Sequence, residues 1–182
     1  MSLTIWFTGL SGSGKTTLAL ALKGRLEAQG KTVEMLDGDV VREKLHRNLG
    51  FSREDIRTNN CLIAELAKKS TADFVLVPVI SPYREDRKMA RSIIIDKSID
   101  TSQQSKNSHF IELFVNCPIG HCIKRDVKGL YQKALKGEIT NFIGIAESNP
   151  YEPPDTPDFT VETHKESLAE STQKIIKFLE VY

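Results

Sequence analysis

Hydrophobic positions recur along this chain with two alternating periods. Leu3–Thr8 is apolar on both faces apart from its threonines, the pattern of a strand buried in a parallel sheet. It stops at Gly9, and from Thr16 onward Leu18, Ala21, Leu22 and Leu26 fall at helical spacing until Gly30 closes the segment. Thr32–Leu36 reads as a second, short strand running into Asp37-Gly38-Asp39. Two helices are predicted next, about Val40–Arg47 and Arg53–Ser70, the second opened by Ser52 as N-cap with Ile56, Ile63, Leu66 and Ala67 on its inner face. Asp73–Ile80 is a third strand, in which Pro78 removes one ladder donor, and a charged helix, about Arg84–Ile95, follows it. The polar, aperiodic Asp96–Ser108 reads as a surface loop. His109–Val115 is another buried-type strand, and Pro118 opens a helical region that reaches about Lys136. The Pro- and Asn-bearing stretch 137–157 reads as a long ordered loop or lid. Phe159–Glu162 is the last strand, and Leu168, Thr172, Ile175 and Leu179 form the inner face of a closing helix.

Strands alternating with helices imply an α/β protein, a mostly parallel sheet with helices on both faces and ligands gathered beyond the carboxyl ends of the strands. Polar clusters stand at those ends: Gly9–Thr16 after the first strand, Asp37–Asp39 after the second and Ser81 after the third. Three sequence-distant clusters thus converge on one edge. The length of 182 residues fits a single domain, 1–182, with a lid at about 125–157. Lys and Arg number 25 against 24 Asp and Glu, a net charge of +1, which offers no bulk electrostatic case for nucleic acid or a membrane surface. The longest apolar stretch, near Phe74–Ile80, is far short of a membrane span, and the N-terminal residues carry no basic leader, so a cytoplasmic protein is expected. Cys61, Cys117 and Cys122 match no zinc spacing and read as reduced, mostly buried thiols; His121 beside Cys122 cannot close a tetrahedral shell.

The sharpest chemical signal is Gly9-Leu10-Ser11-Gly12-Ser13-Gly14-Lys15-Thr16, which fits the phosphate-binding pattern Gly-x-x-x-x-Gly-Lys-Thr in its required strand–turn–helix setting. Glycines let backbone amides turn toward an anion and the following helix adds its positive end. Lys15 would reach the β- and γ-phosphates, and the Thr16 hydroxyl would ligate Mg²⁺. A bound nucleoside triphosphate leaves kinase, hydrolase and switch open. Asp37 and Asp39 stand where a carboxylate could organise the metal or take a proton from an acceptor hydroxyl, and Arg42, one turn into the next helix, could pair with an anionic acceptor. Ser81, fixed before Pro82, falls at the same edge.

Taken together, Gly9–Thr17, Asp37–Arg42, Leu49–Ser52, Ile80–Arg84, Arg125–Ala134, Gly137–Ile145 and Pro150–Pro154 resemble, in order and spacing over nearly the whole chain, the adenylylsulfate (APS) kinases. The resemblance implies a three-layer P-loop kinase fold with a lid, and transfer of the ATP γ-phosphoryl group to the 3′-hydroxyl of adenosine 5′-phosphosulfate with Mg²⁺. It assigns the ATP phosphates to Gly9, Leu10, Ser11, Gly12, Ser13, Gly14, Lys15, Thr16 and Thr17, the metal to Thr16 and Asp39, and catalysis to Lys15, Asp39 and Ser81, the last matching a serine described in the family as a phosphoenzyme residue. Acceptor contacts fall to Asp37, Gly38, Asp39, Arg42, Phe51, Ile80, Ser81, Lys128, Asn141 and Phe142. Phe51 and Phe142 offer flat faces to a nucleobase, Arg42 and Lys128 meet the anionic end, and the Lys128–Phe142 segment closes as a lid. A homodimer is implied by the resemblance alone, and the chain reads as standing alone, unfused to the preceding step of sulfate activation.

Two departures mark the sequence. Where the family places an arginine three residues before an asparagine, gapless register gives Ile56 and Asn59, while Arg57 and Asn60 keep the spacing one residue later. Either the helix is shifted or an acceptor-binding arginine is lost, in which case a related kinase acting on the 3′-hydroxyl of another nucleotide, such as cytidine diphosphoramidate, becomes the alternative; a nucleotide-binding regulatory module is a further one. The second departure is the length and polarity of Asp96–Ser108.

Overall fold

The computed structural model describes residues 2–45, 49–95 and 109–181, with the backbone alone for 42–45. In chain order they form β1 (Leu3–Thr8), α1 (Lys15–Ala28), β2 (Val33–Met35), α2 (Gly38–Leu45), α3 (Arg53–Lys69), β3 (Phe74–Pro78), α4 (Arg84–Ile94), β4 (His109–Asn116), α5 (Ile119–Arg125), α6 (Leu130–Leu135), β5 (Phe159–Glu162) and α7 (Leu168–Leu179).

Alternation within the strands sets the layering. In β1, Ile5 and Phe7 enter one core while Trp6 enters another; β3 sends Leu76 to the first and Val75 and Val77 to the second, and β4 divides Ile111, Leu113 and Val115 from Phe110 in the same way. Strands that bury both rows of side chains need a cover on each face. The first core is closed by Leu18, Leu22 and Leu26 of α1 and Ile175 and Ile176 of α7, the second by Ile63 and Ala67 of α3 and Ala90 and Ile94 of α4. The sheet is parallel throughout, in the order β2-β3-β1-β4-β5. Strand order therefore reverses around β1, and the loop after β1 opens into the crevice where α/β sheets gather their ligands.

Pro78 ends β3 where its missing N–H costs nothing. The Leu76 carbonyl accepts from Leu36 N (2.9 Å) on the β2 side and Val79 N donates to Phe7 O (3.3 Å) on the β1 side, so Pro78 N faces the β2 side beyond that strand's last pair. Three expectations are corrected. The inner face of α1 uses Ala19 where Ala21 is only half-buried. On α7, Thr172, Ile175 and Ile176 are buried with Ser171, Leu179 packs only at the margin, and Leu168 is exposed; the helix starts at a reciprocal capping box between Ser167 and Glu170. The helical region expected from Pro118 to Lys136 is broken into α5 and α6. Asp126 accepts from the backbone N–H of Tyr131 (3.0 Å) and Gln132 (2.9 Å), and Gly129 takes the left-handed φ of +64°, so the chain turns and restarts with Val127 and Lys128 at the apex.

The Ser52 cap is observed, accepting from Asp55 N. Cys61 is half-buried, Cys117 and Cys122 are buried, and all three are free thiols. No helix among the described residues is long and apolar enough to cross a membrane. The Asp96–Ser108 expectation lies outside the described residues.

Candidate active site

The turn between β1 and α1 is pinned by its neighbours. Gly14 caps α1 at φ +100°, a conformation that strains any L side chain. Ser13 is fully buried; its N–H donates to Leu10 O (3.1 Å), and its carbonyl accepts from the Thr163 hydroxyl (2.7 Å) and Arg125 (3.4 Å). The Tyr131 hydroxyl, from α6, donates to Ser11 O (3.0 Å). Lys15 is 8% exposed and donates through Nζ to Leu10 O at 2.8 Å. Burial pushes its ammonium down to about 8, against the opposing pull of Asp39. Thr16 Oγ1 donates to Asp37 Oδ2 (2.8 Å), and Asp37 Oδ1 accepts from Asp39 N (3.0 Å), fixing the start of α2. Lys128, at the apex between α5 and α6, forms an ion pair with Asp39.

Lys15, Thr16, Asp39, Arg125, Lys128, Tyr131 and Thr163 line one cleft of about 580 Å³, within the range of small-molecule sites. Of the expected residues, Ser11, Gly12, Gly14, Lys15, Thr16, Thr17, Gly38, Asp39, Phe51, Asn59, Asn60, Ile80, Ser81, Lys128, Asn141 and Phe142 line it. Gly9, Leu10, Ser13 and Asp37 are not among its lining residues, and the Arg42 side chain lies outside the described residues. Arg57 does not line the cleft: it pairs with Glu85 (3.4 Å) on the outer seam between α3 and α4. The reason is helical phase. Arg53 and Arg57 are one turn apart on the side facing α4, where Asp86 and Glu85 receive them, whereas Ile56, Asn59, Asn60 and Ile63 are buried on the inward side. Ile56, and not Arg57, therefore stands in the cleft.

Ser81 carries local strain, with φ +42°, and its buried hydroxyl has no partner among the described residues. Its carbonyl is anchored by Arg87 Nη1 (2.7 Å) and Thr8 Oγ1 (3.2 Å). Arg87 is itself 2% exposed and also donates to Glu112 Oε1 (2.6 Å) and Glu152 O (2.8 Å), tying the end of β3 to β4 and to the 137–157 stretch. Phe142 packs edge-on against Tyr131 at 4.9 Å, and Phe51 is half-exposed at the cleft lip.

Sequence reasoning missed Ile56, Arg125, Tyr131, Thr163 and Leu168, all of which line the cleft. Thr163, just past the end of β5, was reachable from the rule that ligand contacts follow strand ends. Arg125 and Tyr131 carried no signal beyond their place in a motif. The hard oxygen donors near Lys15 are the Thr16 hydroxyl and the carboxylates of Asp37 and Asp39. Among the described residues no group of three or more His, Cys, Asp or Glu could cage a metal.

The family model for adenylylsulphate kinase matches residues 1–162. An adenylyl-sulfate kinase of Halothermothrix orenii is 47% identical over 97% of this chain and 89% of its own length, and one of Staphylococcus epidermidis is 43% identical over 98% and 84%. A solved structure of the Mycobacterium tuberculosis APS kinase CysC in complex with AMPPNP and APS is 40% identical, covers 98% of each chain and superposes with a TM-score of 0.87. With the family matched along most of its length and relatives of this identity spanning nearly all of it, the chain belongs to the adenylylsulphate kinase family.

Proposed function

We propose that this chain transfers the γ-phosphoryl group of ATP to the 3′-hydroxyl of adenosine 5′-phosphosulfate, and that the residues lining the cleft divide between donor and acceptor. The observation that carries the reading is that one cleft contains both the Lys15–Thr16 phosphate loop and the Phe51–Phe142 aromatic pair. Gly9–Thr17 receives the triphosphate, and Arg125 and Thr163, fastened to the loop at Ser13, flank the donor base. Lys15 neutralises charge that builds on the transferring group. Asp39 accepts the proton of the 3′-hydroxyl as its oxygen bonds to phosphorus and the bond to the ADP oxygen breaks. Ser81, Asn59 and Asn60 hydrogen-bond the acceptor, Phe51 and Phe142 stack on its base, and Lys128 and Arg42 meet its anionic end. In-line transfer between two bound nucleotides requires no covalent stop at Ser81, which acts as an acceptor contact. Thr16 and Asp39 would hold Mg²⁺, which offsets charge on the β- and γ-oxygens when bound. The stretch about 125–157 acts as a lid that excludes water.

A second reading is favoured by Ile56 alone: an apolar side chain stands in the cleft where the family pattern has an arginine, which points to another nucleotide 3′-hydroxyl as acceptor. An ATP-consumption assay with Mg²⁺ that compares adenosine 5′-phosphosulfate with other 5′-substituted nucleotides, cytidine diphosphoramidate included, separates the two by kcat/KM. Preference for adenosine 5′-phosphosulfate by about a thousandfold or more is expected, the size that paired polar contacts supply. Faster turnover of the cytidine nucleotide would transfer the acceptor assignment and leave the donor site as described.

A further inference from the structure

Asn149 is absent from the cleft wall, yet it touches the backbone of both segments that carry the stacking phenylalanines. It is 3% exposed. Its Nδ2 donates to Phe51 O (3.0 Å) and to Asn141 O (2.7 Å), and its Oδ1 accepts from the Tyr83 hydroxyl (2.9 Å). The carbonyls can only accept, so the amide orientation is fixed by its partners and both of its N–H groups are consumed. The backbone of Asn149 is secured as well, its N–H donating to Ala146 O (3.0 Å) and its carbonyl accepting from Gly144 N (2.9 Å). Tyr83 in turn packs in a small apolar cluster with Ile56 and Ile143, both cleft residues, and lies under the Arg53 guanidinium at 4.0 Å from its ring centre.

We infer that Asn149 is a positioning residue that sets the separation of the Phe51 and Phe142 walls, and so the fit of the acceptor base. Phe51 ends the turn before α3 and Phe142 lies in the stretch after α6, and the Asn149 side chain bonds the main chain of both segments. The spacing of two faces around a base must be right to within a fraction of an ångström for both to stack, and a buried amide with all its partners in place supplies that rigidity. This inference rests on the acceptor assignment proposed above.

The test is Asn149→Asp, which keeps the shape and an oxygen for Tyr83 and removes both donors, read by two independent methods. In steady-state kinetics the KM for adenosine 5′-phosphosulfate should rise about tenfold while the KM for ATP stays within about twofold, since two lost hydrogen bonds near the acceptor leave the phosphate loop untouched. In hydrogen exchange on the nucleotide-free protein, peptides covering 49–56 and 139–145 should exchange faster while those of β1 and α1 keep their protection. Unchanged exchange in those two peptides, or equal rises in both KM values, would overturn the inference. If the unsubstituted protein does not turn over adenosine 5′-phosphosulfate, the acceptor assignment fails by that result alone, and the exchange measurement still decides whether Asn149 braces the two segments. Should Asn149→Asp not fold, Asn149→Ser removes the bonds to both carbonyls without adding a charge; an acceptor KM raised about threefold with ATP unaffected supports the role, and no selective change refutes it.

Discussion

Lys15 offers the most quantitative prediction, because burial has displaced its proton equilibrium. With its ammonium pushed down to about 8 from 10.5, about half of the lysines lack the proton at pH 8 and about nine-tenths at pH 9. A bound triphosphate places anionic oxygens against Nζ and restores the charged form. Nucleotide binding should therefore take up protons, on the order of half a proton per site at pH 8 and more at pH 9, where the phosphates themselves are already fully ionised. Isothermal titration with Mg²⁺ and ATP in buffers of different ionisation enthalpy measures this number directly. The same displacement has a stability consequence. Between pH 8 and 10.5 the unfolded chain binds more protons at this group than the folded one, so its contribution to stability rises with pH through that window; below it the full penalty, about 3 kcal/mol, is present. Lys15→Met should consequently abolish transfer, abolish the proton uptake, and raise the unfolding temperature at pH 7 by several degrees. Proton uptake below about 0.1 at pH 8, or uptake that persists in Lys15→Met, would refute the argument.

Other consequences follow from the same contacts. Arg57→Ala should leave the acceptor KM within about twofold because its partner Glu85 lies on the outer α3–α4 seam, whereas Ile56→Ala should alter it; the reverse pattern would contradict the helical phase described here. Arg87→Met strands Glu112 and releases the Ser81 carbonyl, so it should cost about 3 kcal/mol or more and lower the unfolding temperature by about 6 °C or more; a shift under about 2 °C would show that the network contributes little. Phe142→Ala should raise the acceptor KM far above any change in the ATP KM, and equal changes would remove the stacking role.

Much of the fold could be read from the chain because its signals are local. Leu3–Thr8 alternates between two cores, Ser52 caps α3, and Gly14-Lys15-Thr16 fixes the β1–α1 turn, and each is decided within a few residues. Contacts between distant segments were not legible. Nothing local says that Asp126 breaks a helix by capping the next one, since Val127 and Lys128 look helical until Gly129 is seen at positive φ. The place of Arg57 was ambiguous because gapless register sets Ile56 and Asn59 at the family positions while Arg57 and Asn60 keep the spacing one residue later, and the acidic partner on α4 that takes Arg57 to the outer seam is distant in sequence. Ser81 was found from its place after a strand, but its strained backbone depends on Arg87, Thr8 and their partners, which no periodicity connects. Thr163, Arg125 and Asn149 act through hydrogen bonds to residues up to 150 positions away, and a linear pattern carries no trace of those.

The central claim is the bond that forms. Incubation of the protein with ATP, Mg²⁺ and adenosine 5′-phosphosulfate, followed by proton–phosphorus correlation NMR of the product, locates the transferred group. A new phosphomonoester coupled to the ribose H3′ is expected, with the phosphosulfate intact and in amount equal to the ADP formed. ADP release without that signal, or a phosphate coupled to H2′, would contradict it.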